Sequence, residues 1–127
     1  MRNRILHLTI LGLLCTSLAF SIMANSRPGP RQIVLEARDM AFYLPDNSEP
    51  NPMLILRAGE KVRLRLINRD RGFEHDWKVE SLKLATRLLP GNGASDQIVL
   101  RAPEEPGRHE YVCSLHSKIM RGIVEVQ

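Results

Sequence analysis

Across residues 61–66, KVRLRL, every second side chain is aliphatic: Val62, Leu64 and Leu66 alternate with Lys61, Arg63 and Arg65. A period of two predicts a strand with one face in a core and the other in water. Residues 31–40, RQIVLEARDM, and the MLIL that opens residues 53–60 carry the same kind of signal, and RAGE at 57–60 reads as the turn feeding the best strand. Residues 40–52, MAFYLPDNSEPNP, contain three prolines and an Asp-Asn-Ser cluster, which predicts a long surface loop with room for a short strand.

Residues 75–113 continue as short apolar alternations separated by PGNG and APEEPG, without a helix-length period. GIVEV at 122–126 supplies a closing strand with Ile123 and Val124 near its middle. Regular strands punctuated by Pro and Gly predict an all-β domain, an antiparallel sandwich or barrel. No internal repeat or low-complexity segment interrupts it.

The chain has 127 residues. Its start changes the picture, because residues 1–26 join a basic MRNR to an apolar run at 5–23 and end in ANS, with Ala24 and Ser26 placed for a cut before Arg27. This predicts an export signal followed by one domain at 27–127, periplasmic or otherwise exported. If the segment is retained instead, its nineteen residues from Ile5 to Met23 nearly span a bilayer core of ~30 Å and anchor the protein. His7, Thr9, Thr16, Ser17 and Ser21 dilute the run and favour cleavage. A lipoprotein signal wants small residues before its cysteine, and Cys15 follows Leu13 and Leu14.

Cleavage removes Cys15 and leaves Cys113 alone in a compartment where cysteines usually pair. It also removes Arg2 and Arg4, so 18 basic residues become 16 against 14 acidic, a net charge of +2. The basic residues alternate along strands, and aromatic residues are only 5% of the chain. That excludes a nucleic-acid binder built on a basic block with stacking aromatics.

A lone exported thiol needs a use, and Cys113 shares eight residues with His116 and Met120. His75 lies 38 positions upstream, at the end of the best strand, and the loops at one end of a sandwich are brought together by its sheets. Thiolate and thioether are soft ligands and imidazole is borderline; two His and one Cys with a distant Met suit copper. Structural zinc seldom uses a thioether, and catalytic zinc keeps an open position. A dinuclear copper centre would want a second cysteine beside Cys113, and none is there. Glu74 next to His75 is a poor acid/base pair, since neighbours in an extended strand face opposite ways.

YVCSLHSKIMRGIVEV at 111–126, INRDRGFEHDW at 67–77 and APEEPGRHEYVC at 102–113 together resemble the cupredoxin family, particularly its plastocyanin and pseudoazurin-like members. The resemblance covers most of residues 27–127. It implies a Greek-key sandwich of seven or eight strands, one copper ion held by His75, Cys113, His116 and Met120, and single-electron shuttling in the periplasm. Three residues separate His116 from Met120, a spacing between those of amicyanin-like and plastocyanin-like loops. Asp76 falls where relatives often carry an asparagine that ties the ligand loops together, and it is expected to accept hydrogen bonds from the Ser114 backbone or hydroxyl.

His109 stands where the family often has a tyrosine. Alternating with Tyr111 and Cys113 on an inward face, it reads as structural and lies four residues, roughly 13 Å, before the cysteine. Phe73 and Trp77 are expected in or near the core, and the arginines of the 61–66 strand on a solvated face open to an acidic partner.

These observations predict an exported type 1 blue copper protein that carries electrons, a monomer and not an enzyme, with a redox partner protein. Membrane association follows only if the N-terminal segment is retained. The rival is a copper carrier or chaperone that delivers metal to an exported or membrane oxidase, using soft ligands to retain Cu(I). A copper enzyme would need an open coordination site, against which Met120 argues. Leu115, Lys118 and Ile119 flank the expected exposed edge of His116 and form the electron port.

Overall fold

The computed structural model describes residues 29–127. The predicted signal at 1–26, its cut before Arg27 and the alternative anchor lie outside the described residues. Among the described residues, no helix is long and apolar enough to cross a membrane.

The alternation of apolar and polar residues becomes two facing sheets. One contains β1 (Arg31–Arg38), β2 (Ala41–Tyr43), β4 (Lys61–Asn68) and β7 (Ser95–Arg101), in the order β2-β1-β4-β7. The other contains β3 (Leu54–Leu56), β5 (Lys78–Val79), β6 (Leu84–Ala85), β8 (Gly107–Val112) and β9 (Arg121–Val126), in the order β3-β9-β8-β5-β6. One turn of 3-10 helix at Glu80–Leu82 separates β5 from β6. The nine strands of the described residues exceed the seven or eight implied by the resemblance because β5 and β6 are two-residue pieces flanking that turn.

The expected β-sandwich is present, with a refinement of its pairing. Most ladders are antiparallel, but β1 pairs β4 and β3 pairs β9 in parallel. The chain leaves the first sheet after β2, makes β3 in the second, and returns as β4 on the free side of β1. A strand that arrives across the sandwich is not turned around by a tight hairpin, so it can run parallel to its neighbour.

Period-two burial builds the core. Ile33, Leu35 and Ala37 of β1 and Val62, Leu64 and Leu66 of β4 are buried, and they face Leu54, Leu56, Val124 and Val126 of the other sheet. A slip of one residue in β4 would exchange these for Arg63 and Arg65, so register is firmly specified. Arg65 is exposed and Arg63 half-buried, consistent with an outward face.

The 40–52 segment is more ordered than its prolines suggest. It contains β2, whose Ala41 and Phe42 are buried, and it is folded back by Asn51. Asn51 sits at φ 52, a left-handed conformation that Asn tolerates better than most residues. Its N–H donates to the Phe42 carbonyl at 2.7 Å, and its side-chain oxygen accepts from the Phe42 N–H at 3.0 Å.

Tyr111 of β8 lies at the centre of the packing. Its ring meets Phe42 edge-on at 5.6 Å and lies 5.9 Å from the Trp77 ring. Its hydroxyl donates to the Pro52 carbonyl at 2.6 Å. The register sets Gly122 of β9 opposite it, and a side chain at 122 would collide with the tyrosine ring. Trp77 is in the core as expected. Phe73 is not: it is 51% exposed, because it belongs to the loop after β4 and not to a strand.

Candidate metal centre

Three donor groups meet at one end of the sandwich. His75 Nδ1 lies 3.7 Å from Cys113 Sγ, and His116 Nδ1 lies 3.6 Å from the same sulfur. The ligating atoms of His75, Cys113 and His116 all fall within 4.8 Å of one another. The imidazole rings stand 5.0 Å apart at an interplanar angle of 62°. His75, Cys113 and Met120 are each 0% exposed, whereas His116 is half-buried.

Cys113 is placed by β8: it follows Val112 and takes the inward parity of Tyr111. Its N–H donates to the Met120 carbonyl at 3.0 Å, which closes the base of the loop where Val112 pairs with Arg121. Inside the loop, the N–H groups of Ile119 and Met120 both donate to the His116 carbonyl, at 3.1 and 2.9 Å, and the His116 N–H donates to the Cys113 carbonyl at 3.2 Å. The eight residues are therefore braced from within. From outside, the Asn51 side-chain amide donates to the Ile119 carbonyl at 3.0 Å.

His75 is fixed by its own backbone and by its ring. Its N–H and carbonyl exchange hydrogen bonds with Leu89 at 3.0 and 2.8 Å, an isolated antiparallel bridge. Asp76 then links the two ligand loops as expected: one carboxylate oxygen accepts the Ser114 N–H and the other the Ser114 hydroxyl, each at 2.6 Å. His109 is half-buried on the parity of Tyr111 and pairs with the Ser81 hydroxyl at 3.0 Å through Nδ1. That contact agrees with a structural role.

Asp70 is a feature that sequence reasoning missed. Its Oδ2 lies 2.8 Å from His75 Nε2, on the ring edge away from the sulfur. Burial alone would push this carboxyl up, but hydrogen bonds from His75 and from the Met40 and Asp39 N–H groups outweigh it and hold Asp70 below its usual range. Burial pushes the Cys113 thiol up, against weaker lowering by backbone N–H groups.

Around the half-buried imidazole the surface is apolar. Leu115 and Ile119 are each 56% exposed and line a shallow depression with His116, Ser117 and Lys118. Phe73 packs edge-on against the His116 ring at 6.3 Å. The rim expected from Leu115, Lys118 and Ile119 is present, and Phe73 extends it.

With fold and donors in place, the class is defined: the chain belongs to the cupredoxin-like domain family, whose model matches residues 10–126. Among solved structures it is similar to rusticyanin from Thiobacillus ferrooxidans, at 21% identity and TM-score 0.61 over 76% of each chain. It is also similar to auracyanin A, a blue copper protein from the green thermophilic photosynthetic bacterium Chloroflexus aurantiacus, at 19% identity and TM-score 0.59 over 78% of this chain and 100% of that one. Auracyanin from the photosynthetic bacterium Roseiflexus castenholzii follows at 18% identity and TM-score 0.58, over 76% of this chain and 96% of that one. At these identities the likeness is one of fold. No curated protein matches the chain.

The donor chemistry fits the family. Two imidazole nitrogens and one thiol converge in a buried place, with a methionine, equally buried, at the end of the same loop. Soft sulfur with borderline nitrogen suits copper. Family and donors together support one copper ion as the cofactor.

Proposed function

We propose that this chain is an exported, mononuclear type 1 copper protein that carries single electrons between protein partners. The observation that carries the reading is the approach of two imidazole Nδ1 atoms, at 3.7 and 3.6 Å, to one fully buried thiol. His75, Cys113, His116 and Met120 would hold the copper ion.

Bound there, copper supplies a centre that accepts an electron as Cu(II) and releases it as Cu(I). The protein's contribution is to keep the donors still. The Asp76–Ser114 link, the His75–Leu89 bridge and the hydrogen bonds inside the 113–120 loop hold the donor residues in place. Small rearrangement favours fast transfer.

His116 is the port, since it alone among the four is not fully buried, and it opens among Phe73, Leu115 and Ile119. A redox partner protein docks there, leaving the chain a monomer between encounters. The role is one of transport and not catalysis. Export rests on the 1–26 segment, with the periplasm as the destination.

The test is to add one equivalent of Cu(II) to the chain from Arg27 and record visible and electron paramagnetic spectra. An intense thiolate charge-transfer band, narrow copper hyperfine splitting and reversible redox cycling are expected, and Cys113→Ala should abolish the band. A colourless Cu(II) form with tight Cu(I) retention would overturn the reading in favour of copper delivery.

A further inference from the structure

We infer that Asp70 is a positioning residue for His75: it holds the ring proton on Nε2, keeps Nδ1 turned to the metal position, and biases the centre toward Cu(II). This rests on the copper reading above.

A carboxylate accepts hydrogen bonds and, when ionised, donates none. The ring nitrogen 2.8 Å from Asp70 Oδ2 is therefore the one carrying hydrogen, and that nitrogen is Nε2. The other nitrogen, Nδ1, is left with its lone pair directed toward Cys113 Sγ. His75 is 0% exposed, so no water competes for either edge. A carboxylate behind a ligating imidazole fixes tautomer and ring orientation and raises the basicity of the ligand.

Asp70 is itself anchored on every side. Its Oδ1 accepts the Asp39 N–H at 2.7 Å and its Oδ2 the Met40 N–H at 3.2 Å. Asp39 and Met40 are consecutive left-handed residues, with φ 51 and 59, and both amides of this strained pair converge on the one carboxylate. The Asp70 N–H donates to Asn68 Oδ1 at 3.0 Å. Fully buried Asn68 spends its amide hydrogens on the Phe73 and Leu89 carbonyls, at 2.8 and 2.9 Å. Any side chain at Gly91 would run into the Asp70 carbonyl, so the loop has no room to slide. The result is a carboxylate with a fixed place and a fixed charge behind a buried ligand.

Two substitutions separate charge from geometry. In Asp70→Asn the amide oxygen can still serve Met40 and His75, with the NH2 turned to the single Asp39 N–H, so the tautomer survives and the charge is lost. Asp70→Ala removes both. In copper-loaded D70N, a wild-type visible band is expected, with preference for Cu(II) over Cu(I) reduced about tenfold. That change reads as a rise of about 59 mV in reduction potential.

The second readout needs no copper. Nitrogen-15 chemical shifts of the His75 ring in the metal-free protein should report a single Nε2–H tautomer in wild type and D70N, and a mixed or moving ring in D70A. A wild-type ring protonated on Nδ1 would overturn the inference, as would a D70N potential that is unchanged or lower with the band intact. If the wild-type chain forms no blue copper centre, the reading of function fails, while the His75 ring shifts still decide whether Asp70 positions the imidazole. If D70A does not fold, D70N and the wild-type ring shifts carry the decision.

Discussion

The Asp76 carboxylate receives both hydrogen-bond donors of Ser114, backbone N–H and hydroxyl, at 2.6 Å each. It thereby ties the residue after His75 to the residue after Cys113. A carboxylate so close to the donor cluster favours the more positive oxidation state, and an amide there would keep one acceptor while removing the charge. Asp76→Asn should leave a copper-loaded protein with a visible band and raise its reduction potential, by about 59 mV if Cu(II) preference falls tenfold. Voltammetry checks this; an unchanged or lower potential contradicts the electrostatic part of the argument.

Leu115 is 56% exposed beside His116, and its side chain is purely aliphatic. A charge at this position should obstruct apolar docking without touching the donors. In Leu115→Glu, electron exchange should slow at least about tenfold, within the range by which association varies among variants of one interface. The visible spectrum should stay the same. Stopped-flow exchange with a protein partner, or self-exchange by NMR line broadening, gives the rate.

Tyr111 is fully buried and its hydroxyl is bonded to the Pro52 carbonyl. Phenylalanine keeps the ring packing against Phe42 and Trp77 but leaves that carbonyl without its donor. Tyr111→Phe should destabilise the fold by about 1–3 kcal/mol. Denaturant unfolding of the metal-free protein measures this directly, free of any contribution from copper binding.

Far from the donor cluster, Arg31 and Glu60 join β1 to the turn before β4, with N–O distances of 2.8 and 3.0 Å. Hydrogen bonding from Arg31 is the main reason that the Glu60 carboxyl is held down at about 2, against the opposing effect of burial. An unfolded glutamate titrates near about 4.3. The folded value is the lower one, so the stabilisation is fully present above about pH 5 and is lost as pH falls through about 2. Because the Arg31 side chain is 49% exposed, solvent screening limits the contribution to about 1 kcal/mol or less. Glu60→Gln should be less stable than wild type at pH 6, with the gap shrinking as pH falls toward about 2 and closing below it, as seen by thermal unfolding against pH.

Much of this could be read from the residues. The alternation in β1 and β4 carries burial directly, because a strand in a two-layer fold has one inward face. Cys113, His116 and Met120 announced themselves because three soft or ligating side chains crowd one short loop between strands. Asp76 was legible through its place beside His75. Asp70 was not: it lies five residues before the histidine in an irregular loop, where no periodicity says which side chains turn back on one another.

The same limit explains Phe73 and Asn51. An aromatic residue in a strand is normally core, but Phe73 sits on a loop and meets His116 from outside. Asn51 reads as one more turn former among prolines, yet it clamps β2 and reaches Ile119, 68 positions away. Parallel pairing of β1 with β4 was equally hidden, since strand direction depends on which sheet the chain visits in between.

The single thiol of the described residues has no exposed surface. Before any metal arrives, the folded polypeptide therefore shields its only described sulfhydryl from glutathione, from oxidants and from the same group on a second molecule. Newly made protein could wait in an oxidising environment without being spoiled as mixed disulfides or covalent dimers. Sluggish labelling of the native apoprotein by a small alkylating reagent, turning rapid once urea is added, would be the mark of that protection.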